Sequence, residues 1–189
     1  LAALMSAQGR FAEALSYVER CRAVLDELDR PYIVASLSLS LSRIAMQAGD
    51  LDAAETYVER SLQVARETGN QLDLVQSLLQ LGAIATARCS FAAGLAAYQE
   101  AAAVAQEIRA ESLLVDIIAG LADRVAAMGW TAEAAALYRL VVDHPTASQE
   151  AAIRATQSLT SLPAADSGLD EIKTLDEALA VGLKVNAAK

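Results

Sequence analysis

The sequence predicts an all-α fold built from antiparallel helical hairpins. Hydrophobic residues make up 54% of the 189 residues, whereas aromatic residues make up only 4%. Alanine and leucine supply most of the apolar content, and both residues favour helix. The chain has only three prolines, so long stretches contain no helix breaker. An internal repeat then indicates how the helices are arranged.

The repeat has a period of forty residues. Two registered sets are Gly9, Gly49, Cys89 and Gly129, and, five residues later, Ala14, Ala54, Gly94 and Ala134. The segment Tyr17-Val18-Glu19-Arg20 recurs as Tyr57-Val58-Glu59-Arg60, and its aromatic position drifts slightly to Tyr98 and Tyr138 in the later units. A period of this length accommodates two helices of about 17 to 18 residues and two turns.

Apolar residues recur at three- and four-residue spacing inside the predicted helices, which is the period of a helix and not of a strand. The stripes are Leu37, Leu41, Ile44 and Ala45; Leu74, Leu78, Leu81 and Ala85; and Val115, Ile118, Leu121 and Val125. The glycines suit a left-handed residue after a helix, so Cys89 should carry strain or form a different turn. Asp50, Ser90 and Thr131 are the expected N-cap residues.

These signals divide the chain into a repeat region, residues 1–160, and a C-terminal region, residues 161–189. The predicted helices are 1–8, 11–28, 31–48, 51–68, 71–88, 91–109, 111–128, 131–142, 147–160 and 170–183. Asp143-His144-Pro145 should stop the eighth of them. After a loop, the last helix is expected to cap the apolar end of the stack. Because Leu1 falls inside a predicted helix with a truncated hairpin, we expect the chain to be part of a longer protein.

Several segments resemble the tetratricopeptide repeat. Gly49–Ala54 and Leu78–Gly82 carry its motif, although the forty-residue period exceeds that family's usual thirty-four. Ala65–Asn70, Ala134–Tyr138 and Thr174–Leu179 are similar to phrases in the C-terminal sensor regions of bacterial signalling ATPases and of LuxR- or MalT-like transcription regulators. The resemblance implies a right-handed superhelical solenoid with a role in sensing, autoinhibition or assembly.

The sequence argues against catalysis and against several classes of partner. The net charge is −9, which disfavours binding to nucleic acid or to an anionic membrane. His144 is the single histidine, and the chain has neither a P-loop motif nor a nucleophile-elbow motif. We therefore expect no enzymatic activity, no cofactor and no metal site.

The cysteine content and hydropathy favour a cytoplasmic protein. Cys21 and Cys89 do not form a disulfide framework, and we expect them to be buried free thiols. Such thiols fit a reducing compartment. No apolar run reaches membrane-spanning length, and no signal peptide is visible.

A candidate binding groove follows from the expected curvature of stacked hairpins, because the first helix of each hairpin lines the concave side. The residues projected onto this side are Ser36, Leu39, Arg43, Gln47, Gln76, Gln80, Asp116 and Asp123. The mixed polarity favours a protein or peptide, or another domain of the same full-length chain. Asp116 and Asp123 favour a basic partner, and exposed ends of the solenoid allow a homodimer.

Three functional hypotheses remain open on this basis. The first is a protein-interaction or scaffolding module of a bacterial signalling or transcriptional regulator. The second is a sensor that encloses a small metabolite within the superhelix, which predicts thermal stabilisation by a specific ligand. The third is a helical part of an enzyme whose catalytic domain lies elsewhere in the full-length chain.

Overall fold

A computed structural model of the protein describes residues 30–163 and 174–184, together with single positions 8, 10, 13, 16, 17, 20 and 172. Regular structure in these residues is entirely helical, which confirms the predicted all-α class. The helices are α1 (Pro31–Gln47), α2 (Leu51–Thr68), α3 (Gln71–Ala87), α4 (Phe91–Glu107), α5 (Glu111–Ala127), α6 (Thr131–Asp143), α7 (Gln149–Ser161) and α8 (Leu175–Lys184). Only single positions of the predicted helices 1–8 and 11–28 are described, so their bounds lie outside the described residues. The chain divides into two compact units, Leu1–Ile84 and Ala85–Lys189.

One turn conformation recurs every twenty residues between consecutive helices from α1 to α6. The left-handed residues are Gly49 (φ 82°), Gly69 (φ 68°), Cys89 (φ 58°), Arg109 (φ 54°) and Gly129 (φ 84°). In each turn the next backbone N–H donates to a carbonyl five residues earlier, as from Asp50 to Ala45 at 2.9 Å. This bond is the Schellman closure of a helix C-terminus. The structure thus reveals a twenty-residue half-period within the forty-residue repeat, and confirms the strain predicted at Cys89.

The carbonyl acceptors of these turns belong to small, buried residues. They are Ala45, Ala65, Ala85, Ala105 and Val125, all less than a tenth exposed. A small side chain at this position leaves space for the chain to reverse within two or three residues. The tightening of each helix before its turn also explains why the predicted ends at 48, 88, 109 and 128 fall one or two residues too late.

The residue after each left-handed position is the N-cap of the next helix. Asp50 fulfils the prediction, because its Oδ1 accepts a hydrogen bond from the Ala53 amide at 3.0 Å. Ser90 occupies the N-cap position, but its side chain forms no capping hydrogen bond. The predicted N-cap Thr131 is wrong, because Trp130 is the N-cap and Thr131 is the first residue of the helix. A single residue separates Gly129 from the helix, and that residue is Trp130.

In the first unit, α1 and α2 form an antiparallel hairpin. The Ser42 hydroxyl donates to the Ala54 carbonyl at 2.7 Å near the turn, and the Ser61 hydroxyl donates to the Ala35 carbonyl at 2.9 Å further from it. Ser61 also shares a hydrogen bond of 2.8 Å with Ser77, which links α2 to α3. These buried hydroxyls satisfy one another and the backbone where the helices cross closely.

The apolar core of this unit follows the predicted stripes with one exception. One buried cluster contains Leu39, Ala45, Ala54, Val58 and Ile84, and another contains Val34, Leu41, Ile44 and Tyr57. Leu37 was assigned to the core stripe, but 40% of its surface is exposed.

In the second unit, α5 is the central helix. Eleven of its seventeen residues are buried, and it contacts α4, α6, α7 and α8. Helix α6 ends at Asp143, where the extended backbone of His144 precedes Pro145 as predicted. Helix α8 begins at a capping box in which the Glu177 amide donates to Thr174 Oγ1 and the Thr174 amide donates to Glu177 Oε2, each at 3.2 Å.

Ala54→Trp should lower the free energy of unfolding by about 1–3 kcal/mol or more, because Ala54 is fully buried where α1 crosses α2 and overpacking strains a filled core. Thermal denaturation followed by circular dichroism measures the change. Glu59→Trp, at an exposed position of α2, serves as the control and should melt close to the wild type. An unchanged melting temperature for Ala54→Trp would contradict the packing register.

Arg109→Gly should raise the free energy of unfolding by about 1 kcal/mol, because a left-handed backbone costs a non-glycine residue roughly 1–2 kcal/mol and the flexibility of unfolded glycine offsets part of the gain. Urea denaturation measures it. Ala103→Gly, at an exposed site inside α4, should instead lower the stability by about 1 kcal/mol. Destabilisation by both substitutions would rule out a strained turn at Arg109.

Candidate functional site

Five of the residues predicted for the groove lie on one polar face of α1 and α3 in the first unit. Ser36, Arg43 and Gln47 are exposed on α1, and Gln76 and Gln80 are partly buried on α3. The Gln80 amide donates to Met46 Sδ at 3.4 Å, which connects the two helices beside this face. We call these five residues the α1–α3 face. Its guanidinium and amide groups are hydrogen-bond donors by their chemistry, and Arg43 carries the guanidinium at an exposed position.

Leu39, which was also predicted to line the groove, is a core residue. Only 4% of its surface is exposed, and it packs in the cluster with Ala45, Ala54, Val58 and Ile84. Its helical phase places it at the edge of the α1–α3 face. Packing of α3 through Ile84 covers that edge, so Leu39 contributes to stability and not to the accessible surface.

The two predicted acidic residues of the groove, Asp116 and Asp123, bind groups of their own unit. Asp123 Oδ1 accepts a hydrogen bond of 2.6 Å from the Tyr138 hydroxyl of α6, and its Oδ2 lies 3.7 Å from Arg154 Nε of α7. Asp116 Oδ1 accepts from the Ser148 hydroxyl at 3.3 Å. The basic group that the sequence placed on an external partner is therefore supplied to Asp123 by Arg154.

Burial dominates the electrostatics of this cluster. It raises the pKa of Asp123 above its ordinary value, and the charge of Arg154 and the hydrogen bond from Tyr138 offset only part of the rise. The pKa of Tyr138 is also raised, first by burial and then by the charge of Asp123. The Tyr138 hydroxyl therefore keeps its proton at neutral pH and acts as a hydrogen-bond donor, with no tendency to act as a base.

A second polar group is buried deeper in the same unit. The Arg124 side chain is fully buried, its Nε donates to the Phe91 carbonyl at 3.0 Å, and burial lowers its pKa. Tyr98 is fully buried beside Gly120, where an added Cβ would lie 2.7 Å from the tyrosine ring. Gly120 therefore provides the space that the Tyr98 ring fills between α4 and α5.

The sequence does not indicate that Tyr138 and Arg154 come together at Asp123, or that Arg124 is buried with its Nε on the Phe91 carbonyl. The available signal was the aromatic position of the repeat, which recurs at Tyr98 and Tyr138. That recurrence does not specify the hydroxyl contact of Tyr138 with Asp123. The second partner of Asp123, Arg154, comes from α7, which lies beyond the regular repeat.

The remaining candidate residues have structural positions. His144 Nδ1 accepts from the Thr146 amide at 3.3 Å, as expected of a helix-stop residue. Cys89, predicted to be buried, is exposed because it occupies the left-handed position of a turn; Cys21 lies outside the described residues. Within the described part of the chain, no three His, Cys, Asp or Glu side chains come together to hold a metal. None of the helices described there is long and apolar enough to cross a bilayer.

Comparisons of this chain with protein-family models, with curated proteins and with solved structures found no match. A functional proposal therefore rests on the geometry of the two units, each taken by itself. The first unit has the partly exposed polar α1–α3 face, and in the second unit Asp123 is bound by Tyr138 and Arg154.

Asp123→Asn should become more stable relative to the wild type as the pH rises from about 4 to 7. The raised pKa means that the contribution of Asp123 is fully present below its unfolded pKa, near 4, and is lost as the pH rises through the folded value. Asparagine stays neutral and keeps an oxygen acceptor for Tyr138. Urea denaturation at each pH measures the difference in stability.

The matched control is Glu59→Gln, which neutralises an exposed carboxyl on α2. Its stability should follow that of the wild type over the same pH range. If Asp123→Asn also followed the wild type, or lost stability with rising pH, burial would not govern the titration of Asp123.

Proposed function

We propose that the chain is a protein-interaction and scaffolding module, a tetratricopeptide-like right-handed solenoid of antiparallel helical hairpins. The observation that supports this proposal is the left-handed turn that recurs every twenty residues from Gly49 to Gly129. One turn repeated between helices of nearly constant length is the local pattern expected of repeated helical hairpins. Repeated hairpins of this kind build extended binding surfaces in solenoid proteins.

The binding surface in this proposal is the α1–α3 face. Its exposed side chains Ser36, Arg43 and Gln47 share one side of α1, beside the partly buried amides of Gln76 and Gln80. The sequence favoured a basic partner because of Asp116 and Asp123, but both carboxylates are engaged within the second unit. Arg43 instead favours a peptide or helix that presents a carboxylate, since guanidinium and carboxylate groups pair with good geometry.

The wider setting in this proposal is a cytoplasmic bacterial signalling or transcriptional regulator, in which another domain or a separate protein binds the module. The support is the resemblance of Gly49–Ala54 and Leu78–Gly82 to the tetratricopeptide motif. In that setting the module contributes recognition, and the chemical step or DNA contact belongs to other domains.

Peptides selected from a random peptide library against the full chain should depend on the α1–α3 face. We expect Arg43→Glu to weaken their binding about tenfold or more, because it replaces an attractive charge with a repulsive one. Arg139→Glu, at an exposed position of α6, is the matched control and should leave binding unchanged. Fluorescence anisotropy measures the affinities, and circular dichroism verifies that both variants remain helical.

Equal effects of the two substitutions would place recognition elsewhere and contradict the proposal. A library of metabolites screened by thermal denaturation tests the alternative of a small-molecule sensor. A saturable rise in melting temperature with one compound, together with no peptide binding, would favour that alternative.

A further inference from the structure

Helix α8 docks on a part of the second unit that is distant from it in sequence. Its backbone approaches α5, α6 and α4 closely, whereas within the described residues no close backbone approach to α7, the helix that precedes it, is found. A helix that simply continued the row of hairpins would pack against α7. The position of α8 therefore depends on a surface formed by the three earlier helices.

That surface lies on α5, between α4 and α6. Helices α4 and α6 each lie against α5 and α8, but the backbones of their described residues do not approach each other closely. Helix α8 thus fills the space that separates them. It covers α5 at Leu121, which is fully buried in the middle of that helix. Without α8, this part of α5 would present an apolar groove bordered by two helices.

Close approach depends on small residues of α8. Ala178 and Gly182, four residues apart, are both buried, and Leu179 beside them is only 4% exposed. An added Cβ at Gly182 would lie 2.9 Å from Leu121 Cδ1 and 3.0 Å from Leu121 Cβ. The Leu121 Cβ cannot move without its backbone, so the groove selects a helix that has no side chain at this point.

Two features indicate that α8 is held as a ligand and is not an inseparable part of the core. Its N-terminus is closed by its own capping box, Thr174 with Glu177, so the helix brings its own start signal. Its fully buried side is small, limited to Ala178, Leu179 and Gly182. Of these three residues only Leu179 is large, so little apolar burial opposes the conformational entropy lost when ten residues become ordered.

We propose that the surface of α5 between α4 and α6 is a helix-binding site that α8 occupies as a built-in ligand. An amphipathic helix of a protein partner displaces α8 when it carries two small residues four positions apart next to a leucine. This is the helix-in-groove mode of recognition. The site lies in the second unit and uses none of the residues of the α1–α3 face, so it stands independently of the function proposed above.

A fluorescein-labelled peptide with the sequence of residues 172–184 tests the proposal on the full chain. In the variant Leu179→Asp, a charge on the buried side of α8 should release the helix and open the groove. We expect this variant to bind the peptide roughly a hundredfold more tightly than the wild type, where the tethered α8 competes at an effective concentration of about a millimolar. Fluorescence anisotropy gives both affinities.

Two controls define the specificity of the site. The chain variant Lys184→Ala changes an exposed residue of α8 and should bind the peptide as the wild type does. A peptide carrying Gly182→Leu should not bind the Leu179→Asp chain, because its side chain would collide with Leu121. Circular dichroism of the Leu179→Asp chain should show a loss of helix no greater than the ten residues of α8.

Three results would overturn the proposal. The first is a folded Leu179→Asp chain that fails to bind the peptide. The second is equal binding of the wild-type and Gly182→Leu peptides, which would mean that no shaped groove exists. The third is a collapse of helical content beyond α8 in Leu179→Asp, which would show that α8 is an integral part of the core.

Discussion

The described fold depends on a chain reversal completed in two or three residues. A left-handed residue ends one helix, and the very next residue is the N-cap of the following helix, as Gly49 and Asp50 show. One residue therefore closes the Schellman bond to the preceding helix and opens the next helix. Consecutive helices are brought together within each unit because the connection is too short to place them anywhere else.

Small side chains make this close arrangement compatible with a packed interior. Alanines occupy the carbonyl acceptors of four of the five turns, and Ala54 and Ala134 are fully buried. Where the helices of the first unit cross, Ser42 and Ser61 donate to backbone carbonyls of the facing helix. Each such bond contributes about 1 kcal/mol, and its directionality also fixes how the helices are aligned.

The class of fold and most helix bounds were predictable because they follow from local rules, but the last helix begins at Leu175 and not at 170 as predicted. Periodicity located the apolar stripes, and glycine spacing located the turns. Leu39, Asp116 and Asp123 were harder, because helical phase specifies a direction but not what lies in that direction. Packing of α3 covers Leu39, and α6 and α7 provide the partners of Asp123. Those contacts join segments separated by fifteen or more residues, and no local pattern encodes them.

Irregularity at the end of the repeat has a clear structural role. The connection from α6 to α7 contains the extended His144 and Pro145, so α7 is free of the twenty-residue spacing. That freedom allows α7 to bring Arg154 to Asp123, which a further copy of the standard hairpin would not do. The ion pair of Asp123 with Arg154 therefore depends on the break in the period.

In each turn one residue both closes the Schellman bond and serves as the next N-cap, and this double role limits how such a chain can change in length. One residue inserted there would turn the following helix by about 100° and carry its apolar stripe out of the interior. Viable lengthening or shortening must then proceed in units of twenty residues, each a helix with its turn, or in pairs of such units. Insertion or deletion of a single residue is tolerated only where the twenty-residue spacing no longer applies, as in the connection between α6 and α7.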